Sequence, residues 1–192
     1  MSVEIVGNDY LIRRKVLTLL GAKFHVFDAS ERIVLFSEQK AFKLREDIRV
    51  YSDESMAEER LCIKARNIVD FSSAYDVVDT RSGTKIGTLR RKGLSSILRD
   101  AWEILDANDK PVGTIQEDSL ALALVRRLLT NLVPQKFHAE VGGRSVAHYK
   151  QRFNPFVGKL EVSLVPGTAA SFDPRLALAT GILLMAIEGR QN

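Results

Sequence analysis

A chain of 192 residues has the size of one domain, and a chain of this length buries roughly 70% of the surface it exposes when unfolded. Apolar residues make up 45% and charged residues 27%, which excludes a disordered or fibrous protein. One cysteine, Cys62, excludes an intramolecular disulfide and a cysteine-based zinc site. The net charge of +4 comes from the middle of the chain: residues 81–160 hold 14 Lys/Arg against 7 Asp/Glu, whereas both flanks are slightly acidic. The start, Met1 to Ile5, has no basic residue leading into an apolar run, so no secretory leader is expected, and the usual lipid-anchor motifs are absent. A single domain over 1–192 in a reducing, cytoplasmic setting is expected.

Short segments with period-two alternation follow one another along the chain. Tyr10–Val16 is the first. Phe24–Phe27 and Ile33–Phe36 flank a turn at Asp28–Arg32 and predict a hairpin. Arg60–Ala65, Tyr75–Val78 and Trp102–Leu105 alternate in the same way. Ser119–Leu132 breaks the pattern: Leu120, Leu124, Val125, Leu128, Leu129 and Leu132 predict an amphipathic helix, with Asp118 as N-cap and Pro134 beyond its end. Strands resume at Lys136–Val141, Arg144–Tyr149 and Lys159–Val165. About a dozen strands at this spacing predict a β-sandwich or barrel.

The C-terminal stretch 173–188 predicts a helix, with Asp173 as N-cap and Pro174 at the first helical position. Between Leu176 and Ile187 only Thr180 is polar, and a hydroxyl can bond back to its own helix. A helix apolar on every side belongs inside a protein or a membrane. This one falls short of the ~20 residues that span a bilayer, so no transmembrane span is expected. Amid so many strands, its expected place is the lumen of a closed barrel.

An internal repeat supports closure. Tyr75-Asp-Val-Val-Asp79 is followed by Ile86-Gly-Thr-Leu89. Trp102-Glu-Ile-Leu-Asp106 is followed by Val112-Gly-Thr-Ile115. Phe24-His-Val-Phe-Asp28 begins a third copy without the Gly-Thr. The Asp ends each strand, where its carboxylate can accept from turn amides. A β-bulge at Gly87 and at Gly113 would put Ile86 with Leu89, and Val112 with Ile115, on one face and would curve the sheet. Repeated curved hairpins close a barrel and remove its edges.

In order and pattern the chain resembles the LURP-one-related family, within the Tubby C-terminal-like group that also holds the phospholipid scramblases. The resemblance is carried by Tyr10 to Lys15, Phe24 to Asp28, Ile86 to Lys92, Ser96 to Asp106, Val112 to Ile115 and the terminal helix 173–188. It implies a twelve-stranded barrel around a central C-terminal helix. Tubby-like domains bind phosphoinositides, and scramblases are linked to calcium-dependent lipid movement. This chain departs from the scramblase pattern: Val165–Phe172 carries no carboxylate ahead of Asp173, and there is no cysteine cluster for acylation.

Few residues suggest chemistry. Asp106-Ala-Asn-Asp-Lys110 begins like a calcium loop but fails at Lys110 and at Pro111, so it is expected to be a hairpin turn. His25, His138 and His148 lack metal-ligand spacing, and Cys62 has no neighbour in sequence that would activate it. Gly142-Gly143 predicts a tight turn. Arg90-Arg91-Lys92 is the candidate headgroup site, with Lys150 and Arg152 as a looser second cluster. The expectation is a non-enzymatic binding module without cofactor or metal. It would recognise anionic phospholipid headgroups, a membrane surface or a protein partner, in the cytoplasm or peripheral to a membrane. A scramblase-like protein and an interaction scaffold are the alternatives. Nucleic acid is not an expected partner, because no exposed aromatics accompany the cations.

Overall fold

The structure, a computed structural model, describes residues 5–17, 21–39, 47–66, 74–92, 101–118, 135–152, 154 and 157–187. The helix expected over 119–132 lies outside these residues, as does the Ser96–Asp100 part of the family resemblance. Twelve strands are present: β1 (Asp9–Leu17), β2 (Gly21–Asp28), β3 (Ile33–Gln39), β4 (Asp47–Tyr51), β5 (Glu59–Ala65), β6 (Ala74–Asp79), β7 (Thr84–Arg91), β8 (Ala101–Leu105), β9 (Pro111–Glu117), β10 (Lys136–Val141), β11 (Arg144–Arg152) and β12 (Gly158–Leu164). A helix, α1 (Pro174–Ile187), follows them. Each strand pairs antiparallel with its chain neighbours, and β1 pairs with β12, so the sheet closes and has no edge. Strand β4 is an addition to the strands expected from sequence; only Ile48 and Val50 alternate there as buried positions.

The hairpins at one end of the barrel share one turn chemistry. Asp28 Oδ1 accepts from the amides of Ser30 (2.8 Å) and Arg32 (3.0 Å). Asp106 Oδ1 accepts from Asn108 (2.8 Å) and Lys110 (2.9 Å). Glu31 and Asp109 occupy the same left-handed position in the two turns, at φ 59° and 66°. Asp79 caps its turn through the amides of Arg81 and Ser82. These are the bonds expected of the Asp that closes each repeat, and the calcium-like segment is a hairpin turn. Asp53 does the same for Ser55 (2.8 Å) in a fourth hairpin that the sequence pattern did not reveal.

Each of these hairpins carries a bulge in its return strand. The register skips Val34, Arg60, Ile86 and Val112, at even intervals along the chain. In the two Gly-Thr copies the bulged residue directly precedes the glycine. A Cβ on Gly113 would lie 2.1 Å from the Glu140 carbonyl oxygen, and one on Gly87 2.9 Å from a Leu176 methyl. Both glycines let two strands approach, since a Cβ on Gly87 would also lie 2.8 Å from the Leu105 carbonyl oxygen, and Gly87 makes room for the helix as well.

Helix α1 fills the lumen, and Leu176 to Ala186 are all buried. Asp173 caps its start, accepting from the Arg175 amide at 2.8 Å. Thr180 donates back to the Leu176 carbonyl (2.9 Å), and the buried Tyr149 hydroxyl reaches the Ala177 carbonyl (3.1 Å). Gly181 faces Ile12, Leu160 and Val162 on β1 and β12. The inward residues of every strand, among them Phe24, Val26, Ile63, Val77, Trp102, Ile115 and Val162, pack around the helix. Tyr75 and Trp102 are core residues with ring centroids 6.1 Å apart. Burial of each such side chain stabilises the fold by about 1.5–3 kcal/mol. A helix so enclosed explains why its sequence is apolar all round.

Candidate functional site: a cationic outer wall

Strand alternation separates the members of the Arg90–Lys92 cluster. Arg90 is exposed on the outer face and donates from Nε to Glu103 on β8 at 2.9 Å. Arg91 stands opposite Trp102 in the register, and directly opposite residues share a face, so Arg91 lies on the lumen side. Lys92 follows the strand end, half-buried, with its amide bonded to the Ala101 carbonyl at 2.9 Å. The three do not form one exposed patch.

The second cluster, Lys150 and Arg152, grows on folding. Both are exposed on the outer face of β11. Arg152 stands opposite Lys159 on β12, and Lys159 opposite Arg13 on β1. Three cations therefore lie side by side on three strands, with strands about 4.8 Å apart. Lys150 stands between Lys136 on β10 and Glu161 on β12, and Lys15 on β1 stands opposite Lys23 on β2. Two of these cations have carboxylate partners, Arg152 with Glu161 and Lys23 with Glu38 at 3.2 Å. The Arg13 guanidinium sits 4.6 Å from the centre of the Phe27 ring. Among the described residues no carboxylate lies within ion-pairing distance of Lys15, Lys136, Lys150 or Lys159.

The opposite side of the barrel is built the other way. There, Arg90 faces Glu103, and Lys64 faces both Asp47 and Asp76 across the strands. Arg66 binds Asp76 and Asp109, and Lys85 binds Asp109 at 2.8 Å. These bonds hold the Asp109 carboxyl down at about 2, through Lys85 first and then Arg66. Opposite charges across strands stabilise a sheet, and like charges destabilise it by similar amounts. The β10–β11–β12–β1–β2 wall thus carries an electrostatic cost that the other wall avoids.

Other features offer less chemistry. Burial first, and then the bond to Asp47 at 3.2 Å, push the Cys62 thiol up to about 12, so it is inert as a nucleophile. A cleft of about 600 Å³ opens where α1 enters the barrel, lined by Ile86, Val112, Val141 and Leu176 and rimmed by Lys85 and Arg175. Both rim cations are already held by carboxylates. No group of His, Cys, Asp and Glu among the described residues could hold a metal ion.

The barrel and its central helix agree with a comparison of sequences. Residues 33–185 match the family model described as LURP-one-related. The chain belongs to that family. No curated protein matches it, and no solved structure does.

In this LURP-one-related barrel the cationic wall joins the first and last strands. Arg13 comes from β1 and Lys159 from β12, and they meet only because the sheet closes. Arg13 precedes the matched residues 33–185. No helix among the described residues is long and apolar enough to cross a membrane.

Proposed function

We propose that this barrel is a non-catalytic binding module that recognises anionic phospholipid headgroups at a membrane surface, working as one domain in the cytoplasm and peripheral to the membrane. The observation that carries the reading is the row Arg152, Lys159 and Arg13, cation opposite cation on three adjacent strands. Such a row weakens the sheet, and an anionic surface offsets the cost by neutralising it. Each cation near an anionic leaflet contributes about 1 kcal/mol. The lipid contact first expected at Arg90, Arg91 and Lys92 moves in this reading to the wall holding Lys150 and Arg152.

A scramblase-like role would require α1 to leave the lumen and expose the core it fills, which argues against it. An interaction scaffold would be favoured by an apolar surface patch, but the large exposed apolar residues among those described are Val6 and Met56, too few to form one.

The test is co-sedimentation of the full chain with phosphatidylcholine vesicles, with and without phosphatidylserine, at low and physiological salt. Binding that needs the anionic lipid, weakens with salt and is lost in Lys150→Glu/Arg152→Glu supports the proposal. Absence of binding to either vesicle overturns it. Loss of binding in Arg90→Ala/Lys92→Ala, with the β11 variant unaffected, would return the contact to the end of β7.

A further inference from the structure

All three histidines of the chain, His25, His138 and His148, stand on the cationic wall. His25 lies opposite Arg13. His138 and His148 lie opposite each other on β10 and β11, two positions along from Lys136 and Lys150 on the same outer face. No histidine stands on the wall of paired charges. Histidine is the side chain whose charge ordinarily changes between about pH 5 and 8, and every histidine of the chain stands on this one wall.

We propose that the histidines make the wall a proton-regulated docking face, whose hold on an anionic phospholipid surface tightens as pH falls from about 7.5 to about 5.5. The inference rests on the phospholipid reading above and adds its regulation.

The surroundings of each imidazole define what a proton does. His148 is exposed. It faces His138 on β10 and Ser163 on β12, with Lys150 along its own strand and the Ser145 hydroxyl at 3.2 Å. The hydroxyl of Ser163 is bonded to Asp9 at 2.7 Å. The diagonal neighbours of His148 are Lys136, Glu140 and Glu161. A proton on His148 therefore extends the cationic rows along β11.

His138 lies 2.6 Å from Asp118 and 3.9 Å from Glu140, and faces Gln116 on β9. His25 lies 2.8 Å from Glu54, faces Arg13 on β1 and Phe36 on β3, and shares its strand face with Lys23 and Phe27. At these two positions a proton cancels the field of the neighbouring carboxylate. In all three cases the charge that the wall presents rises by one. Near an anionic leaflet each added charge strengthens binding about fivefold.

The experiment is co-sedimentation with phosphatidylserine-containing vesicles at about pH 7.5 and about pH 5.5, using wild type, His148→Gln and His25→Gln/His138→Gln/His148→Gln. Glutamine keeps a hydrogen-bonding side chain without the titratable charge, and a thermal melt checks that each variant is folded. Wild type is expected to bind up to about a hundredfold tighter at the lower pH, three charges at about fivefold each. The triple variant should lose that gain and His148→Gln part of it. A pH ratio that is flat in wild type, or equal in wild type and a folded variant, overturns the inference. Wild type that binds at neither pH overturns the phospholipid reading as well. Binding that is lost in Lys150→Glu/Arg152→Glu but flat with pH overturns only the regulation.

Discussion

Asp79 and Arg175 bind each other, tying the turn after β6 to the first turn of α1. Arg175 also donates to Asp173 (Nε to Oδ1, 3.0 Å), the residue that caps the helix. Asp79 in turn holds its own hairpin through Oδ1. The entry of the helix into the lumen and the closure of one hairpin therefore depend on a single carboxylate. The pair is partly exposed, so the ion pair itself contributes modestly. Asp79→Ala removes the turn cap as well and is expected to cost about 2 kcal/mol. Arg175→Met removes the pair and the bonds to the Asp173 side chain but leaves the turn cap, and should cost about 1 kcal/mol. Urea melts of the two variants check the order. Equal losses would show that the turn cap contributes nothing.

Two glycines should respond differently to alanine. At Gly113 the new Cβ meets a backbone oxygen at 2.1 Å, and the two strands would have to separate. Gly113→Ala is expected to cost about 3 kcal/mol. At Gly181 the new Cβ meets the end of the Ile12 side chain at 2.5 Å, which can rotate, and alanine favours the helix by about 1 kcal/mol. Gly181→Ala should therefore cost about 1 kcal/mol or less. Thermal melts decide it: a Gly181 variant worse than the Gly113 variant would mean that the helix fits the lumen more tightly than the strands fit one another.

Much of this fold could be read in the residues themselves. Asp28, Asp79 and Asp106 mark hairpin ends because a strand that closes in an Asp turn leaves a local signature. The same holds for Asp173-Pro174 at the start of α1 and for the apolar run through Ile187. Strand β4 was harder to see, since two alternating apolar residues are too few to define a period. The wall was legible only at Lys150 and Arg152, which are neighbours in sequence. Its other members come from β1, β10 and β12 and meet only through the closed register. The same limit applies to Arg90 and Arg91: adjacency in sequence suggests one cluster, yet adjacency in a strand places them on opposite faces.

The Asp109 carboxyl gives a pH signature for the paired wall. Its value of about 2 in the folded protein lies below the ordinary 3.8 because Lys85 and Arg66 stabilise the carboxylate. A depressed folded value means that the tether is complete above about pH 4 and lost as pH falls through about 2. Carbon NMR of labelled Asp should show one carboxyl titrating near that lower limit. Lys85→Met is expected to move it upward, with a smaller shift when Arg66 is replaced. An Asp109 resonance titrating at an ordinary value in wild type would show that this turn does not lie over β7.

The sharpest prediction sets stability against binding at one residue. Lys159 stands between Arg13 and Arg152, so it makes two like-charged pairs across the sheet. Replacing it with glutamine keeps much of the side chain that covers the strand and removes both repulsions. Each such pair costs about 0.2–1 kcal/mol. Lys159→Gln should therefore stabilise the barrel by about 0.5–1 kcal/mol and raise Tm by about 2 °C. High salt should shrink that gain, because screening already relieves the wild type. If the wall binds an anionic surface, the same substitution should weaken vesicle binding about fivefold. A sheet charge kept for function is one whose removal stabilises the fold and weakens binding. A variant that is less stable than wild type would show that Lys159 supports the barrel through packing, and the row of cations would then need no anionic partner to account for it.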